Sequence, residues 1–255
     1  MVLIDIHSHM DFNHFDNDRI NLIEEMKKNN IITLSNTLNQ ENYNYSKELF
    51  KKHNDVIKVC PGLYPIEAQK ISNENFNNYI KQIKKEKNDI LAIGEIGLDL
   101  KHGSDNKEFK VQVQRFKSLI ELGIELNKPM IIHTWGAEQE VLEIIEEYVL
   151  KTNFNKFILH CFTGKKKLIK KIKELKIYAS VPLIILNTQS FQSLVEILSI
   201  RNLFIETDSP YLNPDKTRNS PLNIPKIYEK IAQIKKYDTI EIENIIYRNY
   251  QKVFL

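Results

Sequence analysis

Short apolar runs alternate with longer amphipathic stretches from one end of the chain to the other. The runs are Val2–Ile6, Ile31–Leu34, Val56–Cys60, Ile90–Ile93, Met130–Ile132, Phe157–Leu159, Ile177–Val181 and Leu203–Ile205. Each is rich in Ile, Val, Leu or Phe without strict polar alternation, as strands buried on both faces of a parallel sheet are. Between them, apolar residues recur three and four apart. Val111, Phe116, Leu119, Ile120 and Leu122–Leu126 form one such stripe, and Val141, Leu142, Ile144, Ile145 and Tyr148 form another. Thr239–Leu255 reads as an extra amphipathic helix at the C-terminus. Eight strands alternating with helices over 255 residues predict an α/β fold, a (β/α)₈ TIM-type barrel, as a single domain over 1–255. A doubly wound open sheet is the alternative, because periodicity alone does not close a barrel.

No apolar run approaches the roughly 20 residues that cross a bilayer. In Met1-Val2-Leu3-Ile4-Asp5-Ile6-His7 an acid and a histidine interrupt what would be the apolar stretch of a signal peptide. Cys60 and Cys161 are the two cysteines, too few for a disulfide framework, and read as small buried hydrophobes. A cytoplasmic protein with no membrane partner is expected. The net charge of +3 neither demands nor opposes a nucleic-acid partner.

The informative residues follow the apolar runs. Val2–Ile4 leads into Asp5-Ile6-His7-Ser8-His9, and Ile90–Ile93 into Gly94-Glu95. Met130–Ile132 stops at His133, Phe157–Leu159 at His160, and Leu203–Ile205 at Glu206-Thr207-Asp208. In a parallel barrel the C-terminal strand ends converge on the face where catalytic groups collect. Imidazole and carboxylate together suit Zn²⁺ or Mn²⁺, and carboxylate-rich sets also hold Mg²⁺. His7 and His9, two apart, would point to one side of an extended strand. Six candidates, His7, His9, Glu95, His133, His160 and Asp208, exceed the needs of one ion and could serve two with one carboxylate bridging. One histidine at a strand end is ordinarily structural; five strand ends in agreement point to chemistry. His14, His53 and His102 follow no such end and read as surface or loop residues.

These residues resemble the TatD-related deoxyribonuclease family of metal-dependent hydrolases, in the amidohydrolase-like superfamily. The matching pieces are Asp5-Ile6-His7-Ser8-His9, Gly94-Glu95-Ile96-Gly97-Leu98-Asp99, Ile132-His133-Thr134, His160-Cys161-Phe162-Thr163-Gly164 and Glu206-Thr207-Asp208-Ser209-Pro210-Tyr211-Leu212. The resemblance implies a barrel with two divalent ions, Mg²⁺ first and Zn²⁺ or Mn²⁺ as alternatives. His7, His9, Glu95 and Asp208 would hold one, and Glu95, His133 and His160 the other. It implies a metal-activated water with Asp208 as general base, and single-stranded DNA or DNA 3′ ends as substrate. No obligate protein partner is implied.

The chain departs from the family pattern at three places. Gly62-Leu63-Tyr64-Pro65 carries tyrosine where the family has histidine, and a hydroxyl there is expected to point at bound substrate. His133-Thr134-Trp135 has tryptophan in place of arginine, which removes a bidentate phosphate clamp; as the one tryptophan of the chain, Trp135 would be a packed anchor or would offer a face for a base. The loop after Asp208 keeps Arg218-Asn219-Ser220-Pro221 without a denser basic pattern. Asp5 would either orient an imidazole or form a salt bridge in the barrel mouth. The lysines from Lys165 to Lys176 could draw in a phosphate backbone, with Lys165 nearest the site, or form a solvated helix face. The alternatives to a DNA hydrolase are an amidohydrolase or aminoacyl-tRNA deacylase using the same water, and a metal-stabilised nucleic-acid-binding protein with little catalysis.

Overall fold

The computed structural model describes residues 2–255. Eight parallel strands run in chain order among them: β1 Leu3–Ser8, β2 Ile31–Asn36, β3 Ile57–Cys60, β4 Ile93–Gly97, β5 Met130–His133, β6 Phe157–Leu159, β7 Tyr178–Val181 and β8 Leu203–Ile205. Ten helices accompany them: α1 Arg19–Lys28, α2 Gln40–Phe50, α3 Pro65–Lys70, α4 Asn73–Lys85, α5 Asn106–Glu125, α6 Glu138–Thr152, α7 Lys166–Leu175, α8 Gln189–Ile197, α9 Ile224–Lys235 and α10 Thr239–Phe254. The ladders β1-β2-β3 and β4-β5-β6-β7-β8 are joined at two seams into a (β/α)₈ barrel. At one seam Gly94 N donates to Pro61 O, and Leu63 N to Glu95 O, each at 2.9 Å. At the other, Asp208 N donates to His7 O at 2.9 Å and His9 N to Ser209 O at 2.8 Å.

The strand periodicity sorts side chains between two layers. Ile4, Ile6, Leu34, Cys60, Ala92, Ile131, Ile158, Tyr178 and Phe204 pack together inside the barrel. Tyr250, Val253 and Phe254 of α10 join that cluster, with Phe254 5.4 Å from the Phe204 ring. Asn249 Nδ2 donates to the carbonyls of Ile200 and Leu203, where β8 begins. The last helix thereby closes the barrel at the N-terminal ends of the strands and leaves the opposite end open. The outward-facing side chains pack against helix stripes such as Phe116, Leu119, Ile120 and Leu122 of α5. That helix starts in a capping box formed by Asp105 and Glu108.

Two strands depart from the pattern the apolar runs predict. β4 begins at Ile93, so Ile90–Ala92 precede it and Glu95 lies within the strand. The pairing register also shifts between Ile93 and Ile96 of β4, and between Asp5 and Ser8 of β1. Such irregularities change which way the following side chains face. Here Glu95 and His7 fall within the shifted stretches of β4 and β1.

The seam between β3 and β4 has no room for a side chain at Gly62. A Cβ there would lie 2.1 Å from Thr37 O and 2.3 Å from Glu95 N, both main-chain atoms that cannot swing away. Gly62→Ala is expected to lower unfolding free energy by at least about 2 kcal/mol, the middle of the range for forced overpacking. An unchanged urea midpoint would contradict this close approach.

Candidate metal centre

Side chains two residues beyond the interior layer form the site. Ile131 is followed by His133, Ile158 by His160 and Phe204 by Glu206, each step keeping the same face of its strand. Asp208 follows the end of β8 at φ 53°, a left-handed conformation that aspartate tolerates better than most residues. His7 and His9 enter from β1 and Glu95 from β4.

Glu95 is the centre. Its Oε1 lies 2.7 Å from His133 Nδ1 and 3.2 Å from His160 Nε2. Its Oε2 lies 3.5 Å from His7 Nε2 and 3.7 Å from His9 Nε2. Asp208 Oδ1 completes the second side, 3.5 Å from His7 Nε2 and 3.6 Å from His9 Nε2. All six expected donors therefore share one cluster. His7, His9 and Glu95 form one group able to hold a metal ion, and Glu95, His133 and His160 another.

The donor chemistry fits cations. His9 Nδ1 donates to Asn36 O at 2.9 Å, which leaves a lone pair on Nε2. That lone pair faces His7 Nε2 at 3.2 Å, with two carboxylates alongside. Tetrahedral bonds of about 2.0–2.2 Å would space donors about 3.3–3.6 Å apart, close to the separations of this group. His133 is placed between Asp99 Oδ2, 2.9 Å from its Nε2, and Glu95 at its Nδ1. Two acceptors on one imidazole require either a second ring proton or a cation on one side. His7 Nδ1 and His160 Nδ1 are buried without a hydrogen-bond partner.

Residues 4–255 match the family model described as TatD related DNase. The chain belongs to the TatD family. It is 32% identical over 252 residues to an uncharacterized metal-dependent hydrolase of Methanocaldococcus jannaschii, covering 98% of this chain and 96% of the relative. It is 27% identical over 263 residues to a human protein named deoxyribonuclease TATDN3, covering 99% and 94%. Among solved structures, a TatD homologue from Escherichia coli superposes with a TM-score of 0.87 at 20% identity, over 99% of this chain and 97% of that one. This TatD-family chain is accordingly a metal-dependent hydrolase.

Proton affinities in the TatD site follow from its crowding. Burial opposes ionisation of Glu95, but the neighbouring His160, His133 and His7 outweigh it and hold the carboxyl well below its usual range. His160 is lifted well above the ordinary imidazole range because Glu95 and Glu206 overcome burial. His7 is pushed down by burial and by the charge of His160. Burial also opposes ionisation of Asp208, yet His9 and His7 keep it below the usual range.

A second ring of carboxylates, given no role on sequence grounds, supports this set. Asp99 Oδ2 accepts from His133 Nε2, from Tyr64 Oη at 2.9 Å and from His102 Nδ1 at 2.7 Å. Glu206, fully buried, accepts from Cys161 N at 2.8 Å and Ser180 Oγ at 2.7 Å, and lies 3.5 Å from His160 Nδ1. Both acids stand in the strand-end motifs, which was the available signal for them. Asp5 does neither thing expected of it, as it touches no imidazole ring and no cation among the described residues. It accepts instead from Thr207 N at 2.9 Å, Thr207 Oγ1 at 2.7 Å and His7 N at 3.3 Å, tying β1 to β8.

A cavity of about 710 Å³ opens above the donors, with Phe12, Trp135, Phe191 and Tyr211 among its walls. Tyr64 and Trp135 line it, as does Cys161, whose thiol is pushed far up by burial and the surrounding acids and stays protonated. The Tyr64 hydroxyl is spent on Asp99 and so does not point freely at substrate. Lys165 caps α7 from an exposed position outside the lining, and α7 buries Ile169, Ile172 and Leu175 while its lysines face solvent. His102, expected as a surface or loop residue, does stand on an exposed loop, and there it also lines the cavity. Among the described residues, no helix is long and apolar enough to cross a membrane.

Burial pushes the Asp5 carboxyl up to about 7, against the hydrogen bonds it accepts. The unfolded chain releases this proton near pH 3.9. The native state therefore binds the extra proton between these values, and stability falls as pH rises through about 7. With metal stripped, Asp5→Asn is expected to show a shallower fall than wild type between about pH 4 and pH 7 in urea unfolding. Parallel slopes would mean that Asp5 is already ionised at the acid end.

Proposed function

We propose that this TatD-family hydrolase cleaves phosphodiester bonds at DNA ends, single-stranded or 3′, using two divalent ions. The supporting observation is the convergence of six donors, around one shared carboxylate, on a cavity large enough for a nucleotide. His7, His9, Glu95 and Asp208 would hold one ion and Glu95, His133 and His160 the other. Ions bound there supply Lewis acidity, which lowers the pKa of water and offsets charge developing on phosphate oxygens. The chain's own groups do the rest. Asp208 faces the cavity with its carboxylate ionised and takes the proton of the attacking water. Asp99 fixes the His133 ring, and Asn36 O fixes His9, so that neither imidazole must reorient during reaction. Trp135, half exposed at the rim, offers its face to a base.

A second reading has one observation in its favour: no lysine or arginine lines the cavity among the described residues. A short substrate with few phosphates, such as an aminoacyl ester or an amide, needs no basic track. Metal-stripped protein resupplied with Mg²⁺, Mn²⁺ or Zn²⁺ separates the readings on end-labelled single-stranded DNA, an aminoacyl ester and an amide. Release of mononucleotides restored by metal is the expected result. Hydrolysis of the ester or amide alone would replace the phosphodiester reading, and metal-retaining DNA binding without turnover would exclude both.

Two substitutions assign the roles. Glu95→Ala is expected to lower the occupancy of both ions by elemental analysis, because its carboxylate touches both halves of the cluster; loss of one ion alone would defeat the bridging assignment. Asp208→Asn retains an oxygen but accepts no proton as a carboxylate does, so turnover should fall at least ~100-fold with a modest loss of metal. Turnover within a few-fold of wild type would place the base elsewhere.

A further inference from the structure

His102 belongs to neither half of the donor set and stands on the loop between β4 and α5. Its Nδ1 lies 2.7 Å from Asp99 Oδ2, and its main-chain N donates to Asp99 Oδ1 at 2.9 Å. Trp135 meets the ring edge-on, with centroids 5.0 Å apart. The carboxylate that anchors it is itself buried and hydrogen-bonded on several sides. Asp99 is fully buried, accepts a further bond from Lys101 N at 2.7 Å, and donates its own N–H to Gln112 Oε1 at 2.9 Å. A side chain that is 49% exposed is thus held in one orientation by a buried base, with a ring nitrogen left over. No group among the described residues engages that nitrogen, Nε2, and the residue lines the cavity beside Tyr64, His133 and Trp135. Outside the donor set, His102 is the one basic side chain among the described lining residues, where Glu138 supplies an opposing charge.

We propose that His102 is a substrate-binding residue: Asp99 fixes its Nδ1–H, and in the imidazolium form its Nε2–H donates to a non-bridging phosphate oxygen of the substrate. This rests on the phosphodiester reading and adds a contact to it. The Tyr64 hydroxyl serves the same assembly from behind, since it also donates to Asp99 Oδ2 and sits 3.2 Å from His102 Nδ1. Phosphate would then be held between the ions on one side and His102 on the other, with Trp135 packed against the imidazole.

Two side chains of known shape test the assignment. The amide nitrogen of Asn matches the position of histidine Nδ1, and that of Gln matches Nε2. His102→Asn keeps the bond to Asp99 and removes the reaching donor, whereas His102→Gln keeps the reaching donor. Inorganic phosphate titrated into the metal-loaded protein by calorimetry should bind about tenfold more weakly to His102→Asn, the loss of one charge-assisted hydrogen bond, and only about threefold more weakly to His102→Gln. KM for bis(4-nitrophenyl) phosphate should rise in the same order, with kcat held within about threefold. Metal content should be unchanged in both variants. Phosphate affinity of His102→Asn equal to wild type would overturn the proposal, as would loss of metal, which would place His102 in the support of His133. If wild type hydrolyses no phosphodiester while the phosphate titration still separates Asn from Gln, the proposed function fails and the His102 contact stands. If phosphodiester hydrolysis is found and the two variants bind phosphate alike, the reverse holds.

Discussion

The Glu95 carboxylate, almost completely buried, lies within 3.7 Å of four imidazoles from three different strands. A buried carboxylate without compensation costs several kcal/mol, and a lone buried imidazolium costs as much. The site must therefore carry positive charge near Glu95, either as protons on histidine or as metal ions. The raised affinity of His160 and the depressed affinity of Glu95 are the proton version of that compensation. Metal ions supply the other version, and their binding requires neutral imidazoles. Asn36 O and Asp99, which hold the outer nitrogens of His9 and His133, leave one ring nitrogen of each aimed at Glu95 in either case.

The same residues also close the barrel. Main-chain groups of His7, His9 and Asp208 make the bonds between β8 and β1, and Glu95 O accepts across the seam between β3 and β4. Asp5 strengthens this β8–β1 seam by accepting two bonds from Thr207, and a third from His7 N within its own strand. Donor geometry is then a consequence of barrel closure, since moving any of these strands moves a donor. At the opposite end, α10 plugs the interior with Tyr250, Val253 and Phe254. Apolar packing is concentrated there, which frees the C-terminal strand ends for polar residues that pack poorly by themselves.

How much of this is legible in the sequence depends on whether a feature is local. Strands β5, β6 and β8 announce their boundaries, because an apolar run ends at the polar residue that joins the site. β4 does not: Ile90, Leu91 and Ala92 look like strand residues, yet the strand starts at Ile93 and its register shift has no compositional mark. Asp99 and Glu206 stand in plain view in the motifs, but their function is defined by which imidazole they face, a relation between distant strands. His102 has no periodic context at all, and only the fold brings it to Asp99, three residues back, and to Trp135 across the loop. Tyr64 illustrates the converse. Its place at the cavity was readable, while the destination of its hydroxyl depended on Asp99, in another strand's loop.

The distribution of cations bears on how a polyanion would be received. The lysines of α7 lie on its solvent face, and Lys171 is paired with Glu146. Arg218 is pinned to Asp18 and to the carbonyl of His14. Fixed positive charge is therefore scarce inside the cavity, and the bound ions would be its main source. A field concentrated at two adjacent points favours one or two phosphates over an extended backbone, whose neutralisation needs many spread cations. The walls contribute the rest through short-range contact, with Trp135, Phe12 and Tyr211 among the lining residues. Under the phosphodiester reading, such a site selects a chain end, where a terminal base can enter between aromatic faces and the remaining phosphates stay in solvent.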